Sequence, residues 1–67
     1  MRGKAIGKNI KKYREEKGYT KKQLAELVGI SYNSIRTYEC GSSNPSPYSL
    51  SIISIALGVS LLDIINN

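Results

Sequence analysis

The stretch from Thr20 to Gly41 constrains the fold more than any other, because it carries start and stop signals for two short helices. Thr20 predicts a helix start, since its hydroxyl can accept from the backbone N–H of Gln23 while the Gln23 side chain reaches back. Gly29 predicts the end of that helix, because glycine readily adopts the left-handed conformation that closes a helix. Ser31 and Gly41 begin and end a second helix in the same way.

Two short helices joined by a tight turn form a helix-turn-helix, and the two sides of the second helix differ in chemistry. At about 100° per residue, Ile35 and Tyr38 fall on one side, which predicts a buried face. Asn33, Arg36 and Thr37 fall on the opposite side. These side chains suit base edges in the major groove, where asparagine pairs with adenine, arginine with guanine, and a threonine methyl contacts thymine. The alternative is that they are ordinary solvated polar residues.

The positive charge of the chain is concentrated in its first third. The net charge is +5, and residues 1–22 hold nine of the ten Lys and Arg residues but only two acids. Residues 40–67 hold no basic residue and one acid, Asp63. Such asymmetry is typical of a protein that presents one face to a polyanion. A basic surface that serves solubility is the alternative.

The side-chain inventory excludes several classes of function. Cys40 is the single cysteine and histidine is absent, so we expect neither an intrachain disulfide nor a zinc site, and we assign Cys40 no role. Five scattered acids assemble no catalytic constellation, so we expect no enzymatic activity, no metal and no cofactor. No apolar run approaches the roughly 18 residues of a membrane span, so we expect a cytoplasmic protein without membrane contact.

Three further helices are predicted around the motif, which makes the chain all-α, with five helices in a single domain over residues 1–67. The first runs from Arg2 to Lys17, the fourth starts at Pro47 after a Ser46 cap, and Ser60 caps a short fifth helix. The predicted inward residues of these helices are Ile6, Ile10 and Tyr13; Leu50, Ile53, Ala56 and Leu57; and Leu61, Ile64 and Ile65.

One ion pair is predicted between the first and third helices. Arg14 lies beside the apolar stripe of its helix, and Glu39 lies at the inner edge of the third. An arginine at the edge of a core needs a carboxylate, so we predict that Arg14 and Glu39 pair and hold the two helices together. The role of this pair is structural.

The whole pattern resembles the lambda repressor-like DNA-binding domain, the Cro/repressor or XRE type of helix-turn-helix. The resemblance covers about residues 6–65 without a gap. It rests on the segments IKKYREEKGYT (10–20), QLAELVGIS (23–31), SIRTYECG (34–41), NPS (44–46) and ALGVS (56–60). It implies five helices, a third helix that lies in the major groove, and a homodimer on a palindromic operator.

The resemblance also implies which residues contact the DNA. The base-reading set is Tyr32, Asn33, Ser34, Arg36 and Thr37. Lys21 stands where relatives often have a glutamine that contacts a phosphate. Relatives often carry a basic residue in the loop after the third helix, and this chain does not. We therefore expect Asn44, with Ser42, Ser43 and the backbone N–H groups, to contact phosphate there, while the charge comes from Lys8, Lys11, Lys12, Lys21 and Lys22.

A third departure from the family lies in the last two helices. Ile52, Ile55 and Leu62 stand where relatives often have charged residues, off the predicted inward stripes. Exposed apolar residues on neighbouring elements indicate a contact surface. Our hypothesis is a twofold-symmetric dimer through these three residues. The alternative is that the fourth helix is buried on several sides.

These patterns favour a sequence-specific double-stranded DNA-binding transcriptional regulator, a repressor of bacterial or phage origin whose dimer covers an operator. RNA polymerase and an antirepressor are further candidate partners. The alternative is a protein-interaction module, such as an antitoxin or antirepressor, that uses Ile52, Ile55 and Leu62. We expect no effector domain after the helices and therefore no small-molecule ligand.

Overall fold

The computed structural model describes residues 3–66, which form helices without strands. The helices are α1 (Gly3–Glu16), α2 (Lys21–Val28), α3 (Tyr32–Cys40), α4 (Pro47–Leu57) and α5 (Leu61–Ile65). The prediction of an all-α fold with five helices is confirmed. Arg2, predicted as the first residue of α1, lies outside the described residues, and Lys17 falls in the turn before Gly18. No helix within residues 3–66 is long and apolar enough to cross a membrane.

The helix boundaries have the local chemistry that the sequence predicts. The Thr20 hydroxyl accepts from the Gln23 N–H at 3.0 Å, and the Gln23 side chain accepts from the Thr20 N–H at 2.8 Å. The Ser31 hydroxyl accepts from the Ser34 N–H at 3.1 Å and so caps α3. Gly29, between α2 and α3, has φ of 72°, a conformation that residues with a side chain rarely adopt. The caps and this glycine together fix where α3 begins.

The core lies where α1 packs against α3 and α5, while α2 packs against α3 and α4. Its buried apolar residues are Ile6, Ile10, Leu24, Ala25, Ile35, Leu50, Ile53, Leu57 and Ile64. Tyr13 and Ala56, both predicted to face inward, are half-buried. The inward prediction for Leu61 is wrong, since its side chain is 40% exposed. Leu61 is the first residue of α5, and a side chain at that position has no preceding helical turn to pack on.

The closest approach between α1 and α3 occurs at Gly7, which is buried. A methyl group on Gly7 would overlap the carbonyl oxygen of Tyr38 and lie 2.9 Å from that of Glu39. Only glycine lets the two backbones meet in this way. The contact sets the depth at which α3 sits in the core.

Arg14 and Glu39, which the sequence expected to pair, are joined by two hydrogen bonds at the same interface. Arg14 donates from Nε and Nη2 to the two carboxylate oxygens of Glu39 at 2.6 and 3.0 Å. It also donates from Nη1 to the carbonyl of Tyr19 at 2.7 Å. The Arg14 and Glu39 side chains are only 7% and 3% exposed. The hydrogen bond to Glu39 raises the pKa of Arg14 above its usual value. The pair ties α1 to α3.

Candidate nucleic-acid interface

One side of α3 is anchored in the core and the other faces solvent. Ile35 is 0% exposed, and Tyr38 is half-buried against the core cluster. Tyr32, Asn33 and Arg36 are exposed. A helix held from behind, with long polar side chains in front, has the form required to enter a DNA groove.

Two members of the predicted base-reading set are bonded within the chain. The Thr37 hydroxyl donates to the Ser34 carbonyl at 2.9 Å and accepts from the Ser43 hydroxyl at 2.8 Å. The Ser34 hydroxyl accepts from the Ser31 hydroxyl at 2.9 Å. Both Ser34 and Thr37 are half-buried. The exposed residues of the set are therefore Tyr32, Asn33 and Arg36.

Asn33 and Arg36 are in contact on the exposed face. The Arg36 guanidinium donates from Nη2 to Oδ1 of Asn33 at 2.8 Å. Residues three positions apart lie above one another on a helix, so the two side chains occupy the same part of the surface. Glu39 is the one carboxylate on α3, and it is hydrogen-bonded to Arg14. Asn33 is therefore the side-chain acceptor for Arg36 on this helix.

A groove runs along the start of α3, and its lining holds one basic residue, Lys22, and one acidic residue, Glu26. Its lining residues are Lys22, Ala25, Glu26, Gly29, Ile30, Ser31 and Tyr32. Lys22 is exposed and Lys21 is half-buried at the first turn of α2, while Lys11 is exposed on α1. Lys22 is therefore the predicted phosphate ligand that the fold sets beside the exposed face of α3.

The loop after α3 is organised by the Thr37 carbonyl. The backbone N–H groups of Ser42 and Ser43 donate to this oxygen at 3.1 and 3.4 Å. These two N–H groups, which the sequence assigned to phosphate, are therefore engaged within the chain, whereas the side chain of Asn44 is exposed.

Lys4 is a candidate phosphate ligand that sequence reasoning missed. A methyl group on Gly41 would lie 2.9 Å from Cγ of Lys4, so the lysine packs against the turn that ends α3. Lys4 is therefore a basic residue beside a loop that has none of its own. No local pattern could reveal this, because the contact depends on how α1 crosses α3.

Cys40 is an exposed thiol at the end of α3. Its Sγ lies 3.2 Å from the Ser42 hydroxyl, and the hydrogen bond with Ser42 lowers the pKa of Cys40. Within residues 3–66 no three His, Cys, Asp or Glu side chains form a group that could hold a metal ion.

The three residues of the proposed dimer surface differ in exposure. Ile55 is 75% exposed and Leu62 is 65% exposed, whereas Ile52 is half-buried. The alternative, that the fourth helix is buried on several sides, would explain the partial burial of Ile52. It would not explain the high exposure of Ile55 and Leu62. Ile52 and Ile55 line a groove between α2 and α4 together with Tyr19, Leu27, Val28 and Ala56. Leu27, which is exposed, was not predicted as part of this surface, because its neighbours lie on another helix.

The packing of α2 and α3 around the Gly29 turn, with Asn33 and Arg36 facing outward, defines a helix-turn-helix protein. A family model for the helix-turn-helix matches residues 10–64. The chain belongs to this family, in the lambda repressor-like, XRE-type group.

Two curated relatives and one solved structure are similar to the chain over most of its length. It is 43% identical over 60 residues to the antitoxin PezA of Streptococcus pneumoniae, covering 90% of this chain and 38% of PezA. It is 39% identical over 62 residues to the transcriptional regulator SinR of Bacillus licheniformis, covering 91% of this chain and 56% of SinR. A crystal structure of SinR in complex with DNA superposes with a TM-score of 0.88 at 37% identity, covering 91% of this chain and 98% of that one. The chain therefore spans about two fifths to just over half of these curated relatives.

Proposed function

We propose that the chain is a sequence-specific double-stranded DNA-binding transcriptional regulator that inserts α3 into the major groove. The observation that carries this proposal is the exposed pair of Asn33 and Arg36 on a helix whose opposite face is fixed in the core. Base edges are read by such side chains, each good contact contributing roughly 1–3 kcal/mol of discrimination. Tyr32 flanks the same surface, and Ser34 and Thr37 complete it. The likeness to SinR, which has been crystallised with DNA, supports the same assignment.

The phosphate contacts come from both ends of α3. At its start, Lys22 lies in the groove beside Tyr32, and Lys21 lies next to it on α2. At its end, the candidates are the exposed residues Asn44, Ser42 and Ser43, together with Lys4, which packs against the turn at Gly41. Lys11 on α1 provides further charge. Each phosphate that a lysine neutralises should add about −0.9 to the slope of log affinity against log salt.

The regulator acts as a homodimer in this proposal, through contacts of the apolar residues Ile52, Ile55 and Leu62. The high exposure of Ile55 and Leu62 supports this, because apolar side chains gain free energy when a partner covers them. A twofold dimer presents two copies of α3, which matches a palindromic operator. Repression is then steric, since a dimer on an operator that overlaps a promoter blocks RNA polymerase.

Selection of bound duplexes from a random library at near-physiological salt tests the proposal. We expect a palindrome with half-sites about 10 base pairs apart. Arg36→Ala should lose that enrichment and Asn33→Ala should weaken it, while both variants still bind DNA. Ser51→Ala, an exposed change on α4, should keep it. Binding without any enriched sequence, in the wild type, would leave only the electrostatic attraction and would refute the proposal.

A second candidate function is a protein-interaction module, which the similarity to the antitoxin PezA and the exposed groove of Leu27 and Ile55 favour. Ile55→Lys separates the two functions, with Ser51→Lys as the matched control on the same helix. If the chain is a dimeric regulator, Ile55→Lys should turn the dimer into a monomer and weaken operator binding. The module predicts a protein that is already monomeric and that loses a protein partner on this substitution without losing any DNA preference.

A further inference from the structure

We propose that Asn33 is a positioning residue for Arg36, and that the two side chains read one guanine as a unit. This inference rests on the proposed function and makes it more specific. It replaces the expectation that Asn33 reads an adenine independently of Arg36.

The geometry of the pair is the first step. Arg36 donates to Oδ1 of Asn33 at 2.8 Å, so the bond has a charged donor and is stronger than one between neutral groups. It fixes the Asn33 amide with its oxygen toward the guanidinium and its NH2 group away from it. Both side chains are exposed, so the bond orients Arg36 before any DNA arrives.

The remaining hydrogen-bonding groups of the pair are mostly donors. Arg36 has five N–H groups, of which the bond to Asn33 uses one, and the Asn33 amide adds two more. The only acceptor is the Asn33 oxygen, which Arg36 already occupies in part. The pair therefore presents donors to whatever faces it.

Guanine is the base whose major-groove edge fits this surface. It offers two acceptors, N7 and O6, whereas adenine offers the N7 acceptor beside an N6–H donor. To bind adenine through two hydrogen bonds, Asn33 would have to accept from the N6–H group with its side-chain oxygen. Arg36 already donates to that oxygen, so the two donors would compete. The hydroxyls of Ser34 and Thr37, the neighbouring members of the set, are already hydrogen-bonded within the chain. They therefore do not offer Arg36 another acceptor in place of Asn33.

The test measures affinities for the selected operator and for variants in which each guanine is changed to adenine and each adenine to guanine. The wild type should prefer guanine at one position by roughly 5- to 150-fold. Arg36→Ala should abolish that preference, and 7-deazaguanine, which lacks the N7 acceptor, should remove most of it. Asn33→Ala should lower the preference at the same position roughly 2- to 10-fold, the worth of an orienting hydrogen bond. The double variant should match Arg36→Ala.

Asn33→Asp is the decisive variant, because a carboxylate can still accept from Arg36 but cannot donate to adenine N7. We expect it to weaken binding to every duplex by charge repulsion while it keeps the guanine preference. If Asn33→Ala and Asn33→Asp instead both lose the preference for a separate adenine and keep the guanine preference, the unit does not exist and the inference is wrong. A wild-type protein that enriches no sequence contradicts the proposed function itself, which distinguishes the two failures.

Discussion

The substitution Glu39→Gln tests whether the ion pair between α1 and α3 holds the recognition helix in place. Glutamine keeps the size of the side chain but removes its charge. The Arg14 side chain, 7% exposed, would then lose its buried counter-ion and keep Glu15, which lies 4.0 Å away and is 58% exposed. Because arginine stays protonated, it cannot escape this cost by losing its proton.

The expected loss is a large part of the stability of the protein. Removing one partner of a buried pair costs about 3–5 kcal/mol. At about 0.05–0.15 kcal/mol per residue, a chain of 67 residues has an unfolding free energy of roughly 3–10 kcal/mol. Glu39→Gln should therefore leave a marginally stable or unfolded protein. The pKa of Arg14 is raised, so its stabilising contribution is complete below the unfolded pKa and disappears only above the higher folded pKa. Because Arg14 does not titrate in this range, its contribution to the loss of unfolding free energy in Glu39→Gln should be the same at pH 6 and pH 9.

Urea unfolding followed by circular dichroism measures this loss, with Glu15→Gln as the matched control. Glu15 lies 4.0 Å from the same guanidinium but is 58% exposed, so its removal should cost less than about 1 kcal/mol. Equal and small losses in the two variants would refute the argument that burial makes the Arg14–Glu39 pair indispensable.

Two further predictions concern α1 and the end of α3. Gly7→Ala should destabilise the protein by about 1–3 kcal/mol in the same urea assay, because the new methyl meets the backbone of Tyr38. In a helix without such a contact, this change stabilises by up to about 1 kcal/mol, so a stabilised variant would disprove the close approach. The Cys40 thiol, whose pKa is lowered by Ser42, should react with an alkylating reagent with a lower pH midpoint in the folded protein than in urea. Ser42→Ala should raise the folded midpoint, and an unchanged midpoint would rule out the role of Ser42.

The features that could be predicted from the sequence are those encoded by neighbouring residues. The caps at Thr20 and Ser31 need only residues three positions apart, and the apolar stripes need only helical spacing. The contact of Arg14 with Glu39 is long-range, but an arginine beside a core and an acid at an inner helix edge leave few other partners.

The features that could not be predicted depend on how the helices cross. Lys4 meets Gly41 only because α1 crosses α3 at Gly7, and Leu27 joins Ile55 only because α2 packs on α4. Ser54 reads as polar, yet it is buried, because its hydroxyl donates to the Ser51 carbonyl at 2.7 Å and is satisfied.

The C-terminus of α5 shows the same dependence on tertiary packing. Asn9, on the side of α1, donates to the carbonyls of Ile64 and Asn66 at 2.7 and 2.9 Å. Neither the spacing of Asn9 nor its residue type indicates these partners, because they lie more than 50 positions away in the chain. The same limit applies to the Asn33–Arg36 bond, where spacing permits the contact but does not select its orientation.

In the proposed function, the exposed face of α3 reads bases while lysines beside it supply the attraction to DNA. Affinities for the selected operator and for a shuffled duplex of equal length, measured across a range of salt, test it most directly. Arg36→Ala should collapse the ratio of the two affinities. Lys22→Ala should lower both affinities alike and reduce the salt slope by about 0.9, whereas Lys17→Ala, a lysine that lies against Gly58, should change neither. A ratio that survives Arg36→Ala but collapses in Lys22→Ala would contradict the account.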